Sequence, residues 1–175
     1  MKIMIGKKYE LVEDKSIIHE GRRLYRIRAL RSYAPIPTKN GEVIKSGDLG
    51  GYVEGYRNLS QEGDCWIYDN AKVYGNATVE GNSVVGDAAE VFGNSKIRGH
   101  AEIREWSRVY DNAVVEGYSR IISHAEVYGN ANVKGVITVV DRAKVHDNAL
   151  LFGRGIVKKD SEISGNTRVY GTSFY

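Results

Sequence analysis

"VYGNATVEGNSVVGDAAEVFGNSKIRG", residues 73–99, sets a bulky aliphatic residue at every sixth position and a small residue four places after it. Val73, Val79, Val85, Val91 and Ile97 are the bulky members, and Ala77, Ser83, Ala89 and Ser95 the small ones. A period of six belongs neither to a helix nor to a flat strand, so each unit has to turn a corner. In "AKVYGN", residues 71–76, Ala71 and Val73 point one way and Lys72 and Tyr74 the other, as in a short strand. Gly75-Asn76 then tolerates the positive φ that a bend requires. Three such units close a triangular coil of 18 residues whose interior receives only the aliphatic and the small side chain.

Outward from this stretch, the aliphatic column runs without a gap from Ile67 to Val169, so eighteen hexads fill residues 67–174. In the small-residue column only Ile137 is large, Gly155 has no side chain, and Ser173 falls in the last unit. A weaker trace, "LGGYVE", "GYRNLS" and "QEGDCW" over residues 49–66, adds a further coil, six to seven in all. Residues one coil apart should stack about 4.8 Å apart. At that spacing Asn76, Asn94, Asn112, Asn130, Asn148 and Asn166 form one corner column, and Gly81, Gly99, Gly117, Gly135, Gly153 and Gly171 another. Stacked asparagine amides can bond to one another along such a column.

Composition narrows the class. Glycine is 20 of 175 residues, tyrosine 12, phenylalanine 3 and proline 2, a β composition. Cys65 stands alone, which excludes an intrachain disulfide framework and fits a reducing compartment. No apolar run reaches membrane-spanning length, and "MKIMIGKKYELVEDK" lacks a signal-peptide pattern, so the expected location is cytoplasmic, with no membrane partner. Residues 1–42 read as a β-hairpin cap and linker, with "KKYELVED" and "GRRLYRIRALRSY" alternating like strands and both prolines in the linker. This segment holds ten Lys or Arg against five Asp or Glu, and residues 43–175 hold fifteen against seventeen. The arginines at 22, 23, 26, 28 and 31 lack interleaved recognition aromatics, so nucleic acid is not the expected partner. Strand alternation instead puts Tyr25, Ile27 and Ala29 on the coil end.

Two outward faces carry the functional candidates. On the second face Lys72, Glu90, Arg108, Glu126, Lys144 and Glu162 alternate in sign beside Tyr74, Phe92, Tyr110, Tyr128 and His146. That strip reads as a self-stabilising surface, with Tyr74, Phe92, Tyr110 and Tyr128 as candidate binding aromatics. On the first face Trp66, Tyr68, Val84, Ile122, Val140 and Ile156 are apolar yet should point outward. Val84, Ile122, Val140 and Ile156 are therefore expected at an oligomer interface, a homotrimer with a dimer as the alternative. Glu102, Arg104 and Arg120 would pair across it. Of the four histidines, His124 at a corner beside Trp106 is the candidate base or binding residue, since imidazole titrates near neutrality. The spacing of His100, His124 and His146 does not suit a three-histidine zinc site, and no metal is expected.

The motif aliphatic-x-x-x-small-x resembles the left-handed parallel β-helix of hexapeptide-repeat proteins, and the handedness is what that resemblance implies. "LYRIRAL" (24–30), "GDLGGYVE" (47–54) and "NLSQEGDCWIYDNAKVYGNA" (58–77) are similar to the amino-terminal part of YdcK-like hexapeptide proteins and their short phage or prophage relatives. The resemblance implies an all-β fold with the β-helix over residues 43–175. It also implies a family described on fold alone as acyltransferase-like. Two functions follow as expectations. One is a non-catalytic binding protein, an oligomeric prism offering its faces to a protein or a small anionic ligand, with no cofactor; phage-like relatives suggest a host-modulating or counter-defence role. The alternative is an acetyl-CoA-dependent acyltransferase. Acyltransferases of this class use a histidine base near a loop that interrupts the coil, and here the repeats run uninterrupted.

Overall fold

Each hexad folds as a two-residue strand followed by a turn, as at Lys72–Val73, Thr78–Val79 and Val84–Val85. Strands one coil apart pair in parallel: Lys72 faces Glu90, Thr78 faces Lys96 and Val84 faces Glu102. The protein, for which a computed structural model describes residues 6–34 and 43–171, is a parallel β-solenoid with an 18-residue coil and no helix among the described residues. The first face carries the strands at 66–67, 84–85 and their successors, the second those at 72–73 and 90–91, the third those at 78–79 and 96–97.

The interior is filled as the repeat requires. Every aliphatic column member from Ile67 to Val157 is wholly buried, and only Ile163 and Val169 in the last coil begin to show. Serine takes the small position buried at residues 83, 95, 107 and 119 without leaving a polar atom stranded. Ser107 Oγ donates to the Arg104 carbonyl at 2.7 Å and lies 3.0 Å from that of Ile121. A hydroxyl there satisfies itself against its own turn.

The three corners differ in chemistry. Between the second and third faces the asparagine amides form a continuous ladder, each Nδ2 donating to the next Oδ1 at 3.0 to 3.2 Å. Asp111 and Asp147 replace glycine in this corner at φ 56°, and their carboxylates accept the N–H of Gly129 and Gly165 one coil on. Between the first and second faces the left-handed position is never glycine: it reads Asp69, Asp87, Glu105, Ser123, Asp141 and Lys159. The aspartates soften the strain, since Asp87 and Asp141 bond the following coil's backbone.

The glycine corner, between the third and first faces, changes along the axis. Gly81, Gly99 and Gly117 sit at φ 72 to 77°, but Gly135 and Gly153 open to 116° and 113°. There the bend is lost, and Asn132–Val139 and Leu150–Val157 each run through as one eight-residue strand joining the two faces. Ile137, wholly buried in the small-residue column, needs more room than alanine, and Gly155 stacks directly against it in the next coil. The triangle is therefore regular in its first coils and blunted in its last ones.

At the amino end β1 (Tyr9–His19) and β2 (Arg22–Ala29) form an antiparallel hairpin, and β2 pairs with β3 (Leu49–Val53), which opens the second face. Ile27 and Ala29 cover the coil end as strand alternation requires. Leu24, not Tyr25, is the third buried member, because the register shifts between Arg26 and Arg28 and again across residues 12–16 of β1. The cap also meets a hydrogen-bonding need. Carbonyls in each coil accept N–H groups from the coil before, and the first coil has none before it. Tyr9 Oη donates to the Leu59 carbonyl at 2.7 Å, and the buried Lys8 Nζ donates to those of Cys65, Gly63 and Glu62 at 3.0 to 3.4 Å. The prolines at 35 and 37 and the last small residue, at 173, lie outside the described residues.

The corner geometry separates two glycine substitutions. A Cβ on Gly117 would stand 2.6 Å from the Gly135 carbonyl oxygen at φ 77°, whereas Gly165, at φ 65°, has open space. Gly117→Ala should therefore cost at least about 3 kcal/mol from conformational strain and overpacking together. Gly165→Ala should cost about 1 kcal/mol from strain alone. Chemical denaturation of the two variants checks the difference.

Candidate functional site

The corner between the first and second faces brings Asn70, Ala88, Trp106, His124, Arg142 and Asp160 into one column, as the 18-residue period dictates. Trp106 is 61% exposed, and the His124 ring stacks beneath it with centroids 5.3 Å apart and planes 10° off parallel. One coil further, Arg142 grips Asp160 through Nε at 2.7 Å and Nη2 at 3.1 Å. Ser123, His124, Asp141, Arg142, Lys159 and Asp160 line an open recess of about 690 Å³. Its cations face carboxylates of equal number, so no anion-selective field results. His124 and Trp106 are thus together, but no carboxylate bonds the His124 ring among the described residues. An imidazole serving as general base is normally fixed in one tautomer by such a partner.

His146 shows the opposite arrangement. Its Nε2 lies 2.6 Å from Glu162 Oε1 and its Nδ1 3.2 Å from Asp147 Oδ1. Burial alone would lower its pKa, but the hydrogen bonds and charges of Glu162 and Asp147 together raise it above its ordinary value. This environment favours the imidazolium, in which both nitrogens donate and neither offers a lone pair to act as a base.

The second-face aromatics form a continuous stack. Tyr74, Phe92, Tyr110, Tyr128 and His146 follow one another at 4.7 to 5.1 Å between centroids with planes within 6°. His19 from the hairpin tip closes the top edge-on against Tyr74, and Glu20 accepts the Tyr74 hydroxyl. Each ring therefore uses its faces on its neighbours and offers solvent only an edge, which suits coil cohesion better than stacking on a ligand. The charge column beside it pairs as the alternation requires, with Lys72 on Glu90 at 3.0 Å and Lys144 on Glu126 at 3.7 Å. On the third face Glu116 takes Lys134 and Arg98, each at 2.6 Å, and these bonds hold its carboxyl below the usual range.

The first face divides in two. Trp66 is roofed by Tyr9 and Tyr33 of the amino-terminal segment in edge contacts at 6.4 and 5.8 Å. Val84 is wholly buried, and the Arg104 guanidinium lies against Gly86 and over the Tyr68 ring beside it. Glu102 binds Arg104 at 2.6 Å and Arg120 at 2.8 Å, so these three charges pair within one chain. Further along, Ile122 and Val140 are half-buried and Ile156 is 49% exposed. The blunted corner adds Val136 and Phe152, both exposed, with Tyr118 and Tyr170 near them. The repeat pattern does not single out these corner residues, since they fall in columns that are polar elsewhere, such as Asn82 and His100 or Glu80 and Arg98.

The cap arginines are occupied locally. Arg22 binds Glu54, Arg28 binds Glu10, and Arg26 donates to the Asp69 carbonyl and Asn70. No helix among the described residues is long and apolar enough to cross a membrane.

An uninterrupted parallel coil with stacked corner ladders defines a β-solenoid repeat protein. Residues 71–87 match the family model described as the YdcK beta solenoid repeat. The same register runs on both sides of that segment, so the chain is a β-solenoid whose repeat is similar to the YdcK type. No curated protein matches the chain.

The His146 geometry sets a pH dependence. Its folded pKa is raised, so the stabilisation is complete below the unfolded value and disappears as pH rises through the folded one. NMR should show the His146 ring titrating above the ordinary histidine value, and Glu162→Gln should bring it down. Unfolding midpoints of the wild-type protein should fall across that window more than those of Glu162→Gln.

Proposed function

We propose that the protein is a non-catalytic interaction scaffold, a rigid prism that assembles with copies of itself through the carboxyl-terminal half of the first face and the blunted corner beside it. One observation carries this reading: Val136, Phe152 and Ile156 stand exposed within two neighbouring coils. The amino-terminal half of the same face is roofed by the chain's own cap and by Arg104. Exposed apolar side chains grouped on one wall, here set among Lys134 and Arg154, mark an association surface. Flat walls of a triangular prism meet most simply around a threefold axis, and a trimer is the assembly this reading favours over a dimer. The His124 corner supports the non-catalytic part, because among the described residues its ring has no carboxylate orienter and the coil beside it carries no inserted loop.

Two measurements test the proposal. Ile156 is already half in solvent within one chain, so Ile156→Glu should leave the fold intact while setting a carboxylate against apolar surface in an assembly. Light scattering at micromolar concentration should give a trimer for the wild type and monomers for Ile156→Glu. A monomeric wild type, or a variant that assembles unchanged, overturns the scaffold interface. Acetyl-CoA should give no saturable thermal shift. A micromolar shift that vanishes in His124→Ala would establish the acyltransferase reading instead.

A further inference from the structure

The first coil contains a pair of reactive groups that the scaffold reading leaves unused. Cys65 occupies the small-residue column of its coil, and Lys8, just ahead of β1, reaches over it from the cap. Both side chains are wholly buried, and Lys8 Nζ lies 3.2 Å from Cys65 Sγ. The same Nζ donates to the Cys65 carbonyl at 3.0 Å and more weakly to those of Gly63 and Glu62 at 3.3 and 3.4 Å. Tyr33 lies beneath the amine, with its ring centroid 5.8 Å away. No carboxylate forms an ion pair with Lys8 among the described residues. A buried ammonium compensated only by carbonyls and a thiol is costly to keep charged.

We propose that Lys8 and Cys65 form a reversible covalent cross-link, a sulfenamide between Nζ and Sγ, when the protein meets hydrogen peroxide. In the first step the thiol, whose pKa burial pushes up against the pull of Lys8, passes its proton to the neutral amine as the sulfur attacks one peroxide oxygen. An S–O bond forms, the O–O bond breaks, and the departing hydroxide takes the proton back from the ammonium, giving a sulfenic acid and water. Sulfur loses two electrons and peroxide gains them. In the second step the amine lone pair attacks sulfur, an N–S bond forms, the S–O bond breaks, and the leaving hydroxide removes one N–H proton as water. No electrons are exchanged with any other species, and the sum is thiol, amine and peroxide giving sulfenamide and two waters. Sulfenic acids are known to condense with nitrogen in this way.

The surroundings favour the product. Burial lowers the pKa of Lys8 against the opposing pull of Cys65. A neutral nucleophilic amine is thereby more accessible beside the sulfur. The product nitrogen keeps one N–H, sufficient for the shortest of its three carbonyl contacts, and the buried charge is removed. The cross-link closes a loop between positions 57 residues apart, fastening the cap to the first coil. Closing a loop of this length restricts the unfolded chain as a disulfide does.

Intact-mass analysis of the full folded chain after peroxide treatment tests this. The expected result is a loss of two hydrogen masses and a proteolytic peptide joining Lys8 to Cys65, both reversed by dithiothreitol. Cys65→Ser removes the sulfur. Lys8→Arg keeps a cation for the carbonyls but has no nucleophilic amine at neutral pH. Neither variant should give the species. Peptide mapping of the wild type decides the matter even if a variant folds poorly. Oxygen addition at Cys65 with Lys8 unmodified, a dimer joined through Cys65, or an unchanged mass would each overturn the proposal.

Discussion

Every coil of this solenoid hands its backbone N–H groups forward. Lys72 donates to Ala89 and Tyr74 to Val91, each at 3.0 Å, and the pattern repeats to the last coil. Some residues return a bond, as Val79 does to Asn58. The stack is therefore polar: each coil presents carbonyls toward the amino end and N–H donors toward the carboxyl end. A β-sheet closed on itself abolishes its edges, but a solenoid retains one at each end, and the two ends are chemically unlike.

That asymmetry explains why the amino-terminal segment has the composition it has. An apolar plug alone would cover Leu59 and Ile67 but leave carbonyls without partners, at a cost comparable to lost hydrogen bonds. Lys8 and Tyr9 supply donors where a preceding coil would have supplied them, and Asn58 and Arg57 both donate to the Gly75 carbonyl. The excess of basic residues in the cap thus has a local use. Its arginines neutralise Glu10 and Glu54 and tie down the turn at Asp69.

The columns were legible because the repeat forces identical environments 18 residues apart. The asparagine ladder, the alternating charges of the second face and the buried aliphatic column each follow from aligning the sequence at that spacing. What resisted reading were events that break the translation. The cap folds back over Trp66, a contact between residues far apart in sequence. Arg104 lies down over Gly86 instead of extending into solvent, and Val84 becomes interior although its column points outward. The blunted corner had one signal, Ile137 set against Gly155, which marked altered packing without showing that the bend would open. The aspartates at left-handed positions had a signal as well: they alternate with glycine in the asparagine corner, and only a φ near 60° is shared by both.

The asparagine ladder carries a further consequence. All five amide bonds run in one direction, and each depends on its neighbours being one full coil away. Adding or removing a few residues within the stack would misalign this ladder together with the aromatic and charge columns, whereas a change of 18 residues would preserve them all. The molecule is in this sense a ruler, graduated in steps of about 4.8 Å, whose length can evolve by whole graduations but not by fractions of one.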